Sequence, residues 1–218
     1  MDIPKLLFEP NKFFEEEIEQ EQSILMPFLI IFICGILVAI ATFLMLNITL
    51  LVMIPEEVMP HDAISFMVYF SSILFIIIVF IMWLIFAGLF HFISYFFEPK
   101  GNFIRTLKFT GYGSLPAIFS SIISLVSTYS ILPKMENAVR GAAGDPILIE
   151  EAMIEVMRDP MMVMSSIFGI IFTIWCIYIC AYGIKHAREI SLKHAYIVVG
   201  IPYSLYIIYL IYGLVMIL

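Results

Sequence analysis

The sequence predicts an all-α, polytopic helical membrane protein. It is expected to be a bundle of five transmembrane helices, with a short amphipathic N-terminal helix and an extracytoplasmic amphipathic helix between spans three and four. Three observations carry this. Hydrophobic residues fill 62% of the 218 positions and charged residues only 13%, against roughly 45–50% and 25% in an ordinary soluble domain. Asp, Glu, Lys and Arg are excluded from five runs, 22–55, 63–97, 109–133, 160–184 and 194–218, each longer than the roughly 20 apolar residues that cross a bilayer core. Basic residues gather in alternate loops. With a mean hydropathy of +1.05, a water-soluble fold of this size could not bury the apolar surface. Composition therefore excludes a soluble enzyme. The net charge of -7 is no footprint for a polyanion, so nucleic acid is not an expected partner.

Residues 1–23 read as an acidic amphipathic lead-in. Pro10 and Asn11 mark a helix start, and Phe14, Ile18 and Leu25 fall on one face running toward span one. The segment has neither the basic start nor the small-residue cleavage site of a secretory signal, so the first apolar run is expected to remain as an anchor. Surface-binding helices carry Lys and Arg on their polar face. This acidic one is expected instead to pack on basic loops or to meet a partner protein, its plainest reading being a solvated acidic face on a structural lead-in.

Residues 24–218 form a single membrane domain with spans at about 24–54, 63–97, 107–133, 161–184 and 194–217. The first two runs are long, the 34 residues of 22–55 reaching about 51 Å as a helix. Neither has a Gly/Pro pair near its centre, so both are read as single helices. Pro27 sits in the first turn of span one, where its missing N–H costs little. Pro55 and Pro60 bracket an acidic turn, and Pro99 and Gly101 follow span two. In the loop 134–160, Asp145 is a candidate N-cap with Pro146 at the first helical position. Ile149, Met153, Val156 and Met157 then share a face, and Pro160 ends the helix.

The loops set an orientation. Lys5, Lys12, Lys100, Arg105, Lys108, Lys185, Arg188 and Lys193 lie on one side, and only Lys134, Arg140 and Arg158 on the other. Eight against three places the N-terminus in the cytoplasm and the C-terminus outside, with the cell membrane as the expected location. Lys108, Lys185, Arg188 and Lys193 are candidate contacts for anionic lipid headgroups.

The spans hold little that points to chemistry. Intramembrane ion and proton paths are marked by buried ionisable groups, and His91 is the one imidazole well inside a run; it reads as an interfacial or packed histidine rather than a relay. Ser71, Ser72, Ser120, Ser121 and Ser124 have no evident base and read as helix-to-helix hydrogen bonding. Cys176 and Cys180 share a helix face, but no second pair of ligands completes a metal site with them and the lone Cys34, so packing is the expected role. No cofactor or metal is expected, nor catalysis. Gly113, Ala117 and Ser121 are spaced by four, as are Gly200 and Ser204, which suits close helix approach in lipid. Tyr203, Tyr206, Tyr209 and Tyr212 form a slanted stripe, read as phenols packed between helices or lining a polar cavity.

Trp83, Gly88 and His91 are followed by Lys100-Gly101-Asn102-Phe103, Arg105-Thr106-Leu107 and Gly111-Tyr112-Gly113-Ser114-Leu115-Pro116; Trp175, Ala195 and Pro202 come later, and Pro10 with Phe13-Phe14 precede. Over about residues 8–215 this resembles the Yip domain family, five-span proteins named for interaction with Ypt/Rab GTPases. Lys100, Gly101, Phe103, Arg105, Tyr112, Gly113 and Pro116 carry its most specific part. The resemblance implies a membrane scaffold or adaptor with a protein partner or a second copy of itself, alongside membrane lipids. The eukaryotic members have a long cytoplasmic N-terminal region where this sequence has about 23 residues, so it resembles a prokaryotic-type member and Rab-type GTPase binding is not carried over. The alternative expectation is a transporter or channel for a small or lipid-like solute, motivated by the Tyr stripe and by Gly113 and Pro116, which read as a hinge or a packing notch in span three.

Overall fold

The computed structural model describes residues 2–18, 23–54, 57–142 and 145–218. Among them the chain is helical, without a strand. Helices α1 (Ile3–Phe8) and α2 (Pro10–Glu17) form a short N-terminal strap. Helix α3 (Leu25–Met53) and helix α4 (His61–Ser94) follow, α4 closing in a 3₁₀ turn at Tyr95–Phe97. Then come α5 (Phe103–Gly113), α6 (Pro116–Gly141), α7 (Pro146–Met157), α8 (Pro160–Arg188) and α9 (Leu192–Ile217). Five of these, α3, α4, α6, α8 and α9, are long and apolar enough to cross a membrane. In the bundle α3 packs between α4 and α6, α6 packs on α8, and α8 packs on α9.

The two long apolar runs are single unbroken helices, the 34 residues of α4 reaching about 51 Å. Span three departs from expectation. It does not start at 107, because residues 103–113 form the separate helix α5, and it does not stop at 133, because α6 continues through Pro133 to Gly141. Pro116 has no N–H to give the Tyr112 carbonyl, which accepts from Leu115 N at 3.1 Å, while Gly111 O accepts from Ser114 N at 3.2 Å. These tightened bonds end α5 and let Pro116 open α6 at its first position. Gly113 is a packing notch at that corner: a Cβ there would overlap the Cys180 sulfur of α8. Gly200 differs. A Cβ there would meet nothing within 4 Å, and the exposed Ser204 donates to Ile201 O, so the second small-residue pair makes no close approach.

At the end of the bundle opposite the strap, Asp145 caps α7 by accepting from Ile147 N and Leu148 N. Ile149 and Val156 turn inward as expected, and Met153 packs on the cluster of Ile131, Met135 and Val156, whereas Met157 faces out. Pro160 opens α8 behind its own cap, Asp159, which accepts from Met161 N at 2.9 Å and pairs with Lys134. The lead-in is also not one helix running into span one: α2 ends at Glu17, α1 precedes it, and Leu25 is exposed.

Candidate functional site: the strap end of the bundle

The residues that carry the family resemblance converge where the strap meets α5 and the C-terminal end of α8. Helix α5 is amphipathic in sequence, yet every residue from Thr106 to Gly113 is buried. It wedges between α3, α4 and α8. Gly111 allows this on one side, since a Cβ there would meet Pro27 Cβ at 2.6 Å and the Trp83 ring at 3.1 Å. Trp83 then donates its indole N–H to Leu107 O at 3.2 Å.

The strap roofs α5 and α8. Leu6, Leu7, Phe13 and Phe14 enter one core with Phe109, Tyr112 and Ile179. Trp175 of α8 donates to Leu7 O at 3.3 Å. Asn11 Oδ1 accepts from Lys185 Nζ at 2.6 Å and lies 3.0 Å from His186 Nε2. Glu17 turns inward, 2.8 Å from Lys108 Nζ, and accepts the Tyr112 hydroxyl at 3.0 Å. Burial, and then the adjacent Glu17 carboxylate, push the Tyr112 hydroxyl well above its ordinary pKa, so the phenol keeps its proton and donates. Fully burying a Leu or Phe is worth about 1.5–3 kcal/mol, so the four strap residues contribute about 6–12 kcal/mol before the entropy of ordering them. A buried ion pair is close to break-even against an apolar replacement. Apolar packing therefore carries the docking, and the Glu17–Lys108 pair fixes which turn of α2 faces α5.

A second knot ties the loop after α4 to the end of α8. Gly101 has φ +81° and sits where a Cβ would overlap Ala187 O, a conformation and a contact that together require glycine. Its carbonyl accepts from Arg188 NH1 at 2.6 Å, and Lys100 N donates to Arg188 O at 2.9 Å. Arg188 Nε donates to Ser94 Oγ at 2.9 Å, and the guanidinium lies 5.3 Å from the Tyr95 ring centroid. Glu189, at φ 54°, caps α8 in the left-handed region and lies 3.7 Å from Arg105 NH1 and 3.8 Å from Lys100 Nζ.

Of the family-motif residues, Gly101, Lys100 and Arg105 thus lock the loop to α8, Phe103 stacks edge-on against His91 at 5.4 Å, and Tyr112, Gly113 and Pro116 form the α5–α6 corner. His91 Nδ1 lies 3.0 Å from Thr106 Oγ1 and Nε2 lies 3.3 Å from the Tyr95 hydroxyl, a packed interfacial position. The expected headgroup contacts divide. Lys108 and Arg188 are enclosed, 2% and 1% exposed, because each charge holds two helices together. Lys185 is half-buried on Asn11, and Lys193 and Lys100 are exposed. All three cysteines are buried thiols. In the tyrosine stripe only Tyr203 packs between helices, against Phe86 and Phe90; Tyr206, Tyr209 and Tyr212 are exposed along α9. Sequence reasoning missed the inward Glu17, whose acidic neighbours Glu15 and Glu16 are exposed; its signal was its place at i+4 from Phe13, on the apolar face of α2.

The Yip1 domain model matches residues 5–215. An uncharacterized protein of Methanocaldococcus jannaschii, MJ0794, is 35% identical over 129 residues, covering 59% of this chain and 89% of the archaeal one. No solved structure matches. With five apolar helices of membrane-spanning length and a family match over nearly its whole length, this integral membrane protein belongs to the Yip1 domain family.

Proposed function

We propose that the protein is a non-catalytic membrane adaptor, inserted in the cell membrane with its strap end in the cytoplasm and its C-terminus outside. The basic-residue asymmetry of eight against three supports the orientation. The observation that carries the adaptor reading is how the charges at the strap end are used. Glu17, Lys108 and Arg188 are spent inside, fixing the strap, α5 and the loop at Gly101 into one platform. Glu15, Glu16, Lys12, Lys100 and Lys193 stand on its surface. A pre-organised platform with a mixed-charge face suits a protein partner, because no ordering cost falls due on binding. Lys100 and Lys193 remain at its edge as contacts for anionic headgroups.

The test is site-specific photocrosslinking in native membranes from Glu15 and Lys100, with Asn137 at the opposite end as control. The adaptor reading expects one discrete adduct from the first two positions, that from Lys100 being lost on Glu15→Lys/Glu16→Lys. Absence of any adduct from the strap end would overturn it.

A further inference from the structure

At the strap end a pocket of ≈ 340 Å³ opens between the start of α2 and α8. Glu9, Pro10, Asn11 and Lys12 form one wall, and Tyr178 and Tyr182 the other. The polar groups of the strap wall are not spent on their own helix. Glu9 is the N-cap of α2 yet makes no side-chain cap bond; its carboxylate pairs with the exposed Lys12 ammonium instead. Asn11 is oriented by its neighbours. An ammonium only donates, so the atom that Lys185 Nζ meets at 2.6 Å is the amide oxygen, which also lies 3.0 Å from His186 Nε2. The Asn11 NH2 group is left with no hydrogen bond among the described residues, and Lys185 keeps two further N–H bonds. Across the pocket the Tyr178 and Tyr182 rings meet edge to face, 5.2 Å apart at 76°. The walls thus offer N–H donors, one carboxylate and two aromatic rings.

Depth decides what reaches these groups. Pro160 and Lys185 bound the uncharged length of α8. They stand about 38 Å apart along the axis, about 4 Å beyond a hydrocarbon core of about 30 Å at each end. Tyr182, three residues before Lys185, therefore stands at the hydrocarbon boundary, where Tyr and Trp collect. Asn11, bonded to Lys185, stands at the headgroup level. Deeper in the span, Ile174, Ile171, Ile167 and Met164 precede Tyr178 by 4, 7, 11 and 14 residues and share its face. They are 54%, 50%, 44% and 51% exposed, so an apolar track leads from the pocket into the membrane. A molecule that fills the pocket and covers the track has a polar head and acyl chains. The wall sets the charge of that head. A purely anionic group would face the Glu9 carboxylate, whereas a phosphate joined to an ammonium finds a partner for each charge.

We propose that this pocket binds the headgroup of a zwitterionic phospholipid, its phosphate held by the N–H groups of Asn11, Lys12 and Lys185, its ammonium by Glu9 and the rings of Tyr178 and Tyr182, and its acyl chains lying along the track below Tyr178. The site is distinct from the exposed Lys100 and Lys193, and it does not rest on the adaptor reading.

The experiment reconstitutes the full chain in liposomes of equal parts phosphatidylethanolamine and phosphatidylglycerol, moves it to detergent and reads the retained lipid by native mass spectrometry. The expected result is one phosphatidylethanolamine retained in preference to phosphatidylglycerol. Glu9→Gln should reduce that preference by about fivefold, the upper value for an exposed charge pair. Tyr178→Ala/Tyr182→Ala should remove the bound lipid, and Lys100→Ala/Lys193→Ala should leave it in place. No retained lipid, equal retention of the two lipids, or loss at the lysine pair rather than the tyrosine pair overturns the proposal. So does soluble glycerophosphoethanolamine displacing the lipid at equal concentration, which would make the pocket a site for a free phosphate ester. The competition between the two lipids on the unmodified chain stands even if a variant fails to fold. It is read without any strap-end adduct, so its failure and the failure of the adaptor reading are separate results.

Discussion

Glu17→Gln tests whether the strap is held in register by its buried charge. The Lys108 side chain is 2% exposed and that of Glu17 10%. Glu17→Gln keeps the shape and an oxygen for the Tyr112 hydroxyl, but takes a carboxylate away from the enclosed Lys108 ammonium, 2.8 Å distant. Breaking a buried pair from one side costs about 3–5 kcal/mol, and the residual exposure of Glu17 points to the lower end, about 3 kcal/mol. For a chain of this size each kcal/mol moves the melting midpoint by roughly 2–4 °C, so a fall of about 6–12 °C is expected. Cys34, Cys176 and Cys180 are buried, so a thiol-reactive fluorogenic dye reports the melt in detergent without engineered labels. Lys108→Met should cost less, because it leaves a carboxylate that can reach water, and Glu17→Gln/Lys108→Met should recover part of the loss. A midpoint within 1 °C of the parent for Glu17→Gln, together with strict additivity in the double variant, would refute the pair as the registering contact.

Three other outcomes are expected. Gly113→Val should lower the melting midpoint by more than Gly200→Val, since its side chain collides with Cys180 while Gly200 faces open space; Gly113→Val/Cys180→Ala should regain part of the loss. Asp159 is held below the usual carboxylate range by the Lys134 ammonium and then by Met161 N–H. Its contribution is therefore full above the unfolded value of about 4 and is lost as pH falls through the lowered folded value. The melting difference between parent and Asp159→Asn should be constant from pH 5 to 7 and shrink in stronger acid; a difference that grows in acid would contradict this. Membrane-impermeant thiol labelling of Lys100→Cys and Asn137→Cys in intact cells should report opposite sides, with Asn137 outside. Same-side labelling would refute the orientation.

What was legible in the sequence is what depends on neighbours along the chain. The five apolar runs, the Asp145 cap with Pro146 behind it, and the stop of span two before Pro99 and Gly101 are all local. What was hidden depends on partners far away in sequence. Lys108 reads as a headgroup lysine until Glu17 is placed against it, and the hydrogen bond from Tyr112 to Glu17 spans 95 residues. Gly113 reads equally as hinge or notch, because the choice belongs to Cys180. The α5–α6 break was obscured because Phe109 to Pro133 is a continuous uncharged run, and hydropathy does not distinguish a wedged helix from the start of a span. The tyrosine stripe misled in the other direction: its spacing is regular, but only Tyr203 reaches a neighbouring helix.

The contacts of the strap also impose an order of events during synthesis. Leu7 waits for Trp175 and Asn11 for Lys185, separations of 168 and 174 residues. The strap helices thus find their full place only after four of the five membrane helices that follow them have been made. Until then the strap has only the part of its seat that α5 supplies, through Phe109 and Tyr112, and a chain truncated before α8 would never complete it. Closure of the strap therefore distinguishes a finished bundle from a partial one.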